Sequence, residues 1–345
     1  HIWEKKAKRG FVMIDTIKVE LPSISEEVAF IIENSSIIRA GIDFENGELL
    51  YRFTSKELKG SYDSSIRISV EREKYVTILD STDKNQITIK RPCKPFLIIE
   101  CSLHKFFLGH NIYGGSDNLE YQIIELKKFI EDTFDIKLPS IKKWKVRRLD
   151  YARVYNIGDD IVRFFEGFSN VYYPKRVSMK YGSTGLYFPG SFTTLKLYDK
   201  GEEFKKHDKK KLVHFMNNKE LKKLEEISQG KLRIELEVKA RKLKHIYGDL
   251  PRITEIKMTD IINQFNVELK RVFKVSENNM RLYNNSKDVE KILFNMYGST
   301  GNIYLGTWYR LSINGYDSVK KSMSESTFYR HINKLRCHYC GATEN

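Results

Sequence analysis

A run of eight residues, 193–200, carries side chains that could act on a phosphate group. Its alternation of apolar and polar residues is typical of a strand, and a strand would place Lys196, Tyr198 and Lys200 on one face. A tyrosine hydroxyl has a pKa of about 10, so ionising it at pH 7 takes about 4 kcal/mol, which neighbouring cations reduce. Such a tyrosine is a candidate nucleophile. The alternative is a half-buried strand whose lysines lie in water, and the octapeptide alone favours it.

Acidic residues on two other predicted strands are candidate metal ligands. Asp150 shares a strand face with Arg148, and Glu235 and Glu237 share one face of the strand 233–239. Two carboxylates at this spacing can bind one hard cation. The alternative is that they pair with the basic residues around them, which is the commoner arrangement on surface strands.

Two further groups are weaker metal candidates. Glu100 ends an apolar strand and lies close in sequence to His104 and His110, although a lone histidine is more often structural. Cys337 and Cys340 form half of a zinc site with no second pair, so two free thiols are the better interpretation.

Several other chemistries lack their motifs. The sequence contains no G-x-x-x-x-G-K-[ST] phosphate loop, no G-x-G-x-x-G dinucleotide fingerprint, no H-E-x-x-H and no paired C-x-x-C motifs. These absences argue against an ATP-driven helicase or kinase, a dinucleotide enzyme and a zinc protease.

The composition indicates a globular protein with a polyanionic partner. Among 345 residues, 60 are Lys or Arg and 45 are Asp or Glu, for a formal net charge of +15. That charge favours nucleic acid or an anionic membrane surface. No apolar run approaches the length of a membrane span, and four cysteines are too few for a disulfide scaffold. We therefore expect a soluble intracellular protein with reduced thiols.

The element pattern predicts an α+β fold. Strand alternation dominates from Met13 to about residue 200, and helical spacing interrupts it at 117–134 and 160–168. Strands and helices without regular βαβ alternation predict an antiparallel sheet backed by helices, in a domain over 13–250. Residues 1–12 precede a natural-looking start and are interpreted as a leader or a vector-derived remnant.

The remaining residues, 251–345, predict a smaller, mainly helical C-terminal module. Its end, 317–336, has the spacing of a helix-turn-helix with Phe328, Ile332 and Leu335 on one buried face. The opposite face would present polar and basic side chains able to meet phosphates and base edges, namely Tyr329, Arg330, Asn333, Lys334 and Arg336. An ordinary basic amphipathic helix is an equally good interpretation.

Short blocks in a fixed order resemble one known family. The opening block, Met13-Ile14-Asp15 with Leu21-Pro22, resembles the start of the gene II family of filamentous-phage and plasmid replication initiators. Four further blocks resemble motifs of that family: S-x-x-K-x-x-x-G-H-N at 102–111, R-[IL]-D at 148–150, the tyrosine motif at 194–200 and R-[FI]-E at 233–235. A Tyr-Gly-Asp-Leu-Pro stretch follows at 247–251.

The resemblance implies rolling-circle nicking in an HUH-like Rep domain, although the chain has no literal His-hydrophobic-His triplet. Tyr198 would attack a DNA phosphate, leaving a 5′-phosphotyrosyl bond and a 3′-hydroxyl primer, with Lys200 as its electrostatic partner. Mg²⁺ or Mn²⁺ would be held by Asp150 and Glu235, with His110 as a weaker candidate.

The resemblance also implies partners and a location. Origin DNA, unpaired or in a hairpin at the nick, a host helicase and a host polymerase are expected, in the cytoplasm of a bacterial host cell and without a membrane. Expected DNA contacts are Arg148, Lys196 and Arg233 of the matched blocks, together with Arg330 and Lys334 of the possible helix-turn-helix, which lies outside them. The alternatives are a conjugative relaxase with the same chemistry and a non-enzymatic DNA-binding regulator.

Overall fold

A computed structural model describes most of the chain. The described residues are 11–35, 37–42, 49–56, 66–79, 86–113, 118–158, 161–168, 173, 175–182, 184–273, 286–314 and 316–339. Residues 1–10 of the expected leader and Cys340 lie outside them, as do the side chains of Arg336 and Cys337. Cys93 and Cys101 are free thiols, as expected.

Ten strands of the described chain form one sheet in which all neighbouring strands are antiparallel. Their order is β2-β3-β4-β5-β1-β6-β10-β9-β8-β7. The bounds are β1 Phe11–Leu21, β2 Ile37–Ile42, β3 Leu49–Lys56, β4 Ile66–Leu79, β5 Gln86–Ser102, β6 Lys145–Asn156, β7 Met179–Lys180, β8 Gly185–Phe188, β9 Thr193–Asp199 and β10 Lys231–Lys239.

Helices accompany this sheet, so the predicted α+β fold with an antiparallel sheet is confirmed. They are α1 Glu26–Ser35, α2 Leu103–Leu108, α3 Leu119–Phe134, α4 Ile161–Phe168, α5 Lys200–Glu203, a π-helical turn Phe204–Asp208, α6 Lys209–Leu212, α7 Asn218–Ser228, α8 Ala240–Tyr247, α9 Met258–Phe273, α10 Ser286–Tyr297, α11 Gly301–Asn314, α12 Tyr316–Lys321 and α13 Glu325–Tyr339. In the described part of the chain, none of these helices has the length and apolarity to span a membrane.

The two faces of the central strands have different environments. Leu195, Leu197 and Leu236 point into the main hydrophobic core, where each fully buried leucine contributes about 1.5–3 kcal/mol. Side chains alternate along a strand, so Tyr198 and Glu235 lie on the opposite face. The apolar alternation that predicted β9 is therefore confirmed, and the sheet presents its polar side chains away from the main core.

The C-terminal helices divide between this core and separate clusters. Helix α9 contributes Phe265 and Leu269 to the main core, whereas α10–α13 pack in two smaller clusters around Val289, Leu293 and Leu335 and around Val319, Phe328 and Ile332. Helices α12 and α13 flank a short break at 322–324, in the predicted helix-turn-helix segment. The predicted boundary between residues 250 and 251 stays a prediction.

Candidate active site

Strand register brings the predicted acidic and basic residues together. β10 lies between β6 and β9, and its Glu237 pairs with Asp150 of β6. On the other side, Glu235 pairs with Lys196 and Arg233 pairs with Tyr198 of β9. Residues paired across a sheet share a face, so these side chains form one polar group.

Tyr198 lines an open cleft of about 340 Å³ and is half-buried. Its hydroxyl donates a hydrogen bond to Oε2 of Glu235 at 3.1 Å, and the Arg233 guanidinium lies 5.8 Å from its ring centre. Burial raises the pKa of Tyr198 well above 10; Arg233 opposes this increase and Glu235 adds to it. The phenol is therefore protonated at neutral pH, and the carboxylate beside it is positioned to accept its proton.

Lys196 contacts three acidic side chains. Its ammonium lies 2.8 Å from Glu235, 3.4 Å from Glu237 and 3.7 Å from Asp150. Arg148 makes two hydrogen bonds to Asp150, at 2.7 and 2.5 Å. We define the open cluster as Asp150, Lys196, Tyr198, Glu235 and Glu237. Lys196, Tyr198 and Glu235 line the cleft, and the other two acids contact Lys196 without lining it.

Lys200 differs most from the prediction. Asp199 ends β9 and accepts hydrogen bonds from the backbone N–H groups of Gly201 and Glu202, so the chain turns into α5. Lys200 consequently leaves the strand face and is fully buried, where it bonds to Asn111, Glu203 and Asp208. It follows that strand periodicity could not place this ammonium beside the phenol.

A second polar group surrounds Lys200. Asp15 forms an ion pair with Arg233 at 2.9 Å and accepts a hydrogen bond from Asn111 at 3.0 Å, and Lys105 pairs with Asp208 at 2.6 Å. We call this the closed network; its members are Asp15, Lys105, Asn111, Lys200, Glu203, Asp208 and Arg233.

Sequence reasoning did not select Asp15, Glu203 or Asp208 as site residues. Burial alone would raise the pKa of Asp15, but Arg233 and Asn111 hold it well below its usual range. The position of Asp15 within the opening block of the family resemblance was the one available signal. Glu203 and Asp208 lie in the helical segment that follows β9, so the strand alternation that predicted β9 carries no information about their contacts.

His110 lies beside the closed network and not in the open cluster. Its pKa falls to about 3 because of burial and the neighbouring Lys200, His104 and Lys105. His104 is also buried, with Nδ1 2.9 Å from the Ile14 carbonyl oxygen. Glu100, near them in sequence, pairs with Lys18 and Arg148.

The predicted metal ligands therefore do not form one set. Asp150 and Glu235 bind cationic side chains in the open cluster, whereas His110 borders the closed network. Across the part of the chain that the structure describes, no three His, Cys, Asp or Glu side chains are grouped as metal ligands. These residues as arranged do not fit a bound Mg²⁺ or Mn²⁺, and the requirement for either ion stays a prediction.

The predicted DNA contacts occupy different environments. Arg148 and Lys196 are partly exposed at the open cluster, and Arg330 and Lys334 are both exposed on α13. Arg233 is fully buried and paired with Asp15, so its guanidinium supports the site from within and is not presented to a phosphate backbone.

Comparisons with known proteins identify the family. The family model Phage_CRI, which describes the N-terminal part of a replication-associated protein, matches residues 13–268. The chain is similar to the solved rolling-circle replication initiator protein from Geobacillus stearothermophilus, at 13% identity over 67% of this chain and 74% of that chain, with a TM-score of 0.26. No curated protein matches. The match over residues 13–268 covers most of the chain and includes β6, β9 and β10, which carry the open cluster. The chain therefore belongs to the Phage_CRI family of replication-associated proteins.

Proposed function

We propose that this protein initiates rolling-circle replication by nicking one strand of an origin, with Tyr198 as the nucleophile. The observation that carries the proposal is the hydrogen bond from the Tyr198 hydroxyl to Glu235 in an open cleft. A nucleophile in contact with a proton acceptor is the usual arrangement for covalent catalysis. Family membership independently supports a role in replication.

In the proposed step, Tyr198 Oη attacks phosphorus and its proton moves to Glu235. The new bond joins Oη to phosphorus, and the bond from phosphorus to the 3′ oxygen breaks. The 5′ side of the break is joined to Tyr198 as a phosphotyrosine, and the 3′ oxygen takes a proton from water and becomes a hydroxyl. Attack by a 3′-hydroxyl in the reverse direction rejoins the strand without ATP, because the phosphoryl bond energy is kept in the covalent link.

The charges around the phenol support this assignment. Burial would raise the pKa of Glu235, but Lys196 and Arg233 lower it, so the carboxylate is ionised and can accept a proton. Lys196 also lines the cleft and offers positive charge to an entering phosphate. Arg233 lies 5.8 Å from the Tyr198 ring and favours its ionised form.

The closed network supports the site indirectly. Lys200 follows Tyr198 by two residues and is fixed by Asn111 and Asp208. Its role in the proposal is to hold the turn from β9 into α5, and so the position of Tyr198. We propose origin DNA as the substrate and a host helicase and polymerase as the proteins that use the nicked product.

Nicking of a supercoiled plasmid that carries the cognate origin tests the proposal. Wild type should produce open circles with the protein covalently attached to the 5′ end, and Tyr198→Phe should produce neither. Tyr121→Phe, on the exposed surface of α3, is the matched control and should nick normally. Parallel reactions with Mg²⁺, Mn²⁺ or EDTA test the ion requirement.

Equal open-circle formation by wild type and Tyr198→Phe would contradict the proposal. Origin binding without any covalent product would instead favour the non-enzymatic regulator. A conjugative relaxase would give the same products. A replication initiator is distinguished from a relaxase by whether the nicked plasmid replicates or is transferred between cells.

A further inference from the structure

Two tyrosines form an exposed aromatic pair in the same cleft as Tyr198. The rings of Tyr181 and Tyr187 have centroids 4.8 Å apart and planes inclined by 36°. Tyr181 is 66% exposed, a large value for an aromatic side chain in contact with another. Both line the cleft with Tyr198, Lys196 and Glu235.

The β8–β9 register fixes this pair close to the open cluster. Leu186 and Phe188 of β8 are buried in the core, so Gly185 and Tyr187 face the cleft. Tyr187 pairs with Lys196, and Gly185 pairs with Tyr198. Glycine has no side chain, so the residue of β8 opposite Tyr198 puts nothing over the phenol.

Gly185 also lets Tyr181 approach the hairpin closely. The Tyr181 N–H donates a 2.8 Å hydrogen bond to the Gly185 carbonyl oxygen. A Cβ atom at position 185 would lie 3.0 Å from Tyr181 Cβ and 3.1 Å from its carbonyl oxygen. Gly182, between β7 and β8, has φ of +60°, in the left-handed region that favours glycine. These glycines allow the turn that sets an aromatic ring at the cleft.

We infer that the Tyr181–Tyr187 pair stacks against an unpaired nucleobase beside the phosphate that Tyr198 attacks. The position relative to that phosphate rests on the proposed function; the stacking itself does not. Base stacking on aromatic side chains is a recurrent means of binding single-stranded nucleic acid. The cleft itself is mixed in charge, with acidic side chains beside its cations, namely Asp199, Glu202, Glu203 and Glu235. Lys206 and His207 also line this cleft, and Lys206 supplies charge for the strand's backbone.

A binding experiment tests the inference in the Tyr198→Phe background, where no cleavage is needed. The probes are oligothymidine of about 12 nucleotides and an abasic strand of equal length, each followed by fluorescence anisotropy. Tyr181→Ala should weaken oligothymidine binding about tenfold and leave abasic binding unchanged. Tyr181→Trp should restore oligothymidine binding, because it restores the aromatic face.

The matched control is Tyr121→Ala, which removes a 52% exposed tyrosine that does not line the cleft. It should bind both probes like its parent. The inference is overturned if Tyr181→Ala weakens both probes equally, or if Tyr121→Ala weakens oligothymidine as much. These binding measurements involve no nicking. A negative binding result therefore contradicts the stacking inference alone, and a protein that does not nick DNA could still show the expected binding.

Discussion

The open cluster and the closed network use the same residue types in different surroundings. In the open cluster, the hydroxyl of Tyr198 contacts Glu235 at the wall of a cleft. In the closed network, Lys200 and Arg233 are fully buried and each pairs with acidic side chains. Tyr198 and Glu235 line the cleft, as does Glu203 of the closed network, whereas Lys200 and Arg233 do not. The access of each side chain to the cleft, and not the number of charges around it, separates a residue suited to chemistry from one suited to positioning.

Arg233 and Glu235 join the two regions on one strand. Arg233 binds Asp15 at 2.9 Å and lies 3.5 Å from Glu235. Burying a guanidinium has a large desolvation penalty, which its partners must offset. This pairing accounts for the burial of Arg233, the cation of β10 that lies near the phenol. Lys196 is more exposed and lines the cleft.

The largest expected effect separates two neighbouring acids of the open cluster. Glu235→Gln should reduce the nicking rate about 10²- to 10⁴-fold, because it removes the proton acceptor of Tyr198. Glu237→Gln is the matched control, since Glu237 also contacts Lys196, at 3.4 Å, whereas the phenol donates to Glu235. Single-turnover nicking measures both. Equal losses would mean that Glu235 acts only through Lys196.

The next effect concerns stability in the closed network. Asp15→Asn should lower the free energy of unfolding by about 3–5 kcal/mol, because it leaves the buried Arg233 without its closest acidic partner. Asp249→Asn removes an exposed partner of Lys145 and should change stability by less than about 1 kcal/mol. Urea unfolding measures both. Similar small changes would show that the network contributes no more than a surface ion pair.

The sequence predicted the elements better than the contacts between them. Alternation in β9 and β10 indicated which face Tyr198 and Glu235 would occupy, because a strand has a fixed period. The two-residue alternation of a strand did not indicate that Asp199 would cap α5 and that Lys200 would turn inward. The pairing of Asp15 with Arg233 joins residues more than 200 positions apart in sequence, which only the strand order of the sheet brings together.

Asp150 should give the open cluster a pH-dependent stability. Burial raises its pKa from 3.8 to about 7, against the opposing effect of Arg148. A carboxyl with a raised pKa stabilises the fold fully below pH 3.8, and that contribution is lost as pH rises through 7. Wild type should therefore lose about 2–3 kcal/mol more than Asp150→Asn between pH 5 and pH 8. Urea unfolding in EDTA at both pH values measures the difference, and parallel losses would contradict the assignment.

The smallest effect is confined to the acidic side of the nicking pH profile. Lys196 makes the largest contribution to lowering the pKa of Glu235, so Lys196→Met should raise that pKa. Glu235 must be ionised to accept the Tyr198 proton, and the acidic limb of the profile should therefore move to higher pH. Lys206→Met is the control, because Lys206 lines the cleft but lies 3.9 Å from Glu202. A shift in both variants would indicate a general loss of positive charge, whereas a shift in Lys196→Met alone would identify the titrating group as Glu235, the carboxylate that contacts Tyr198.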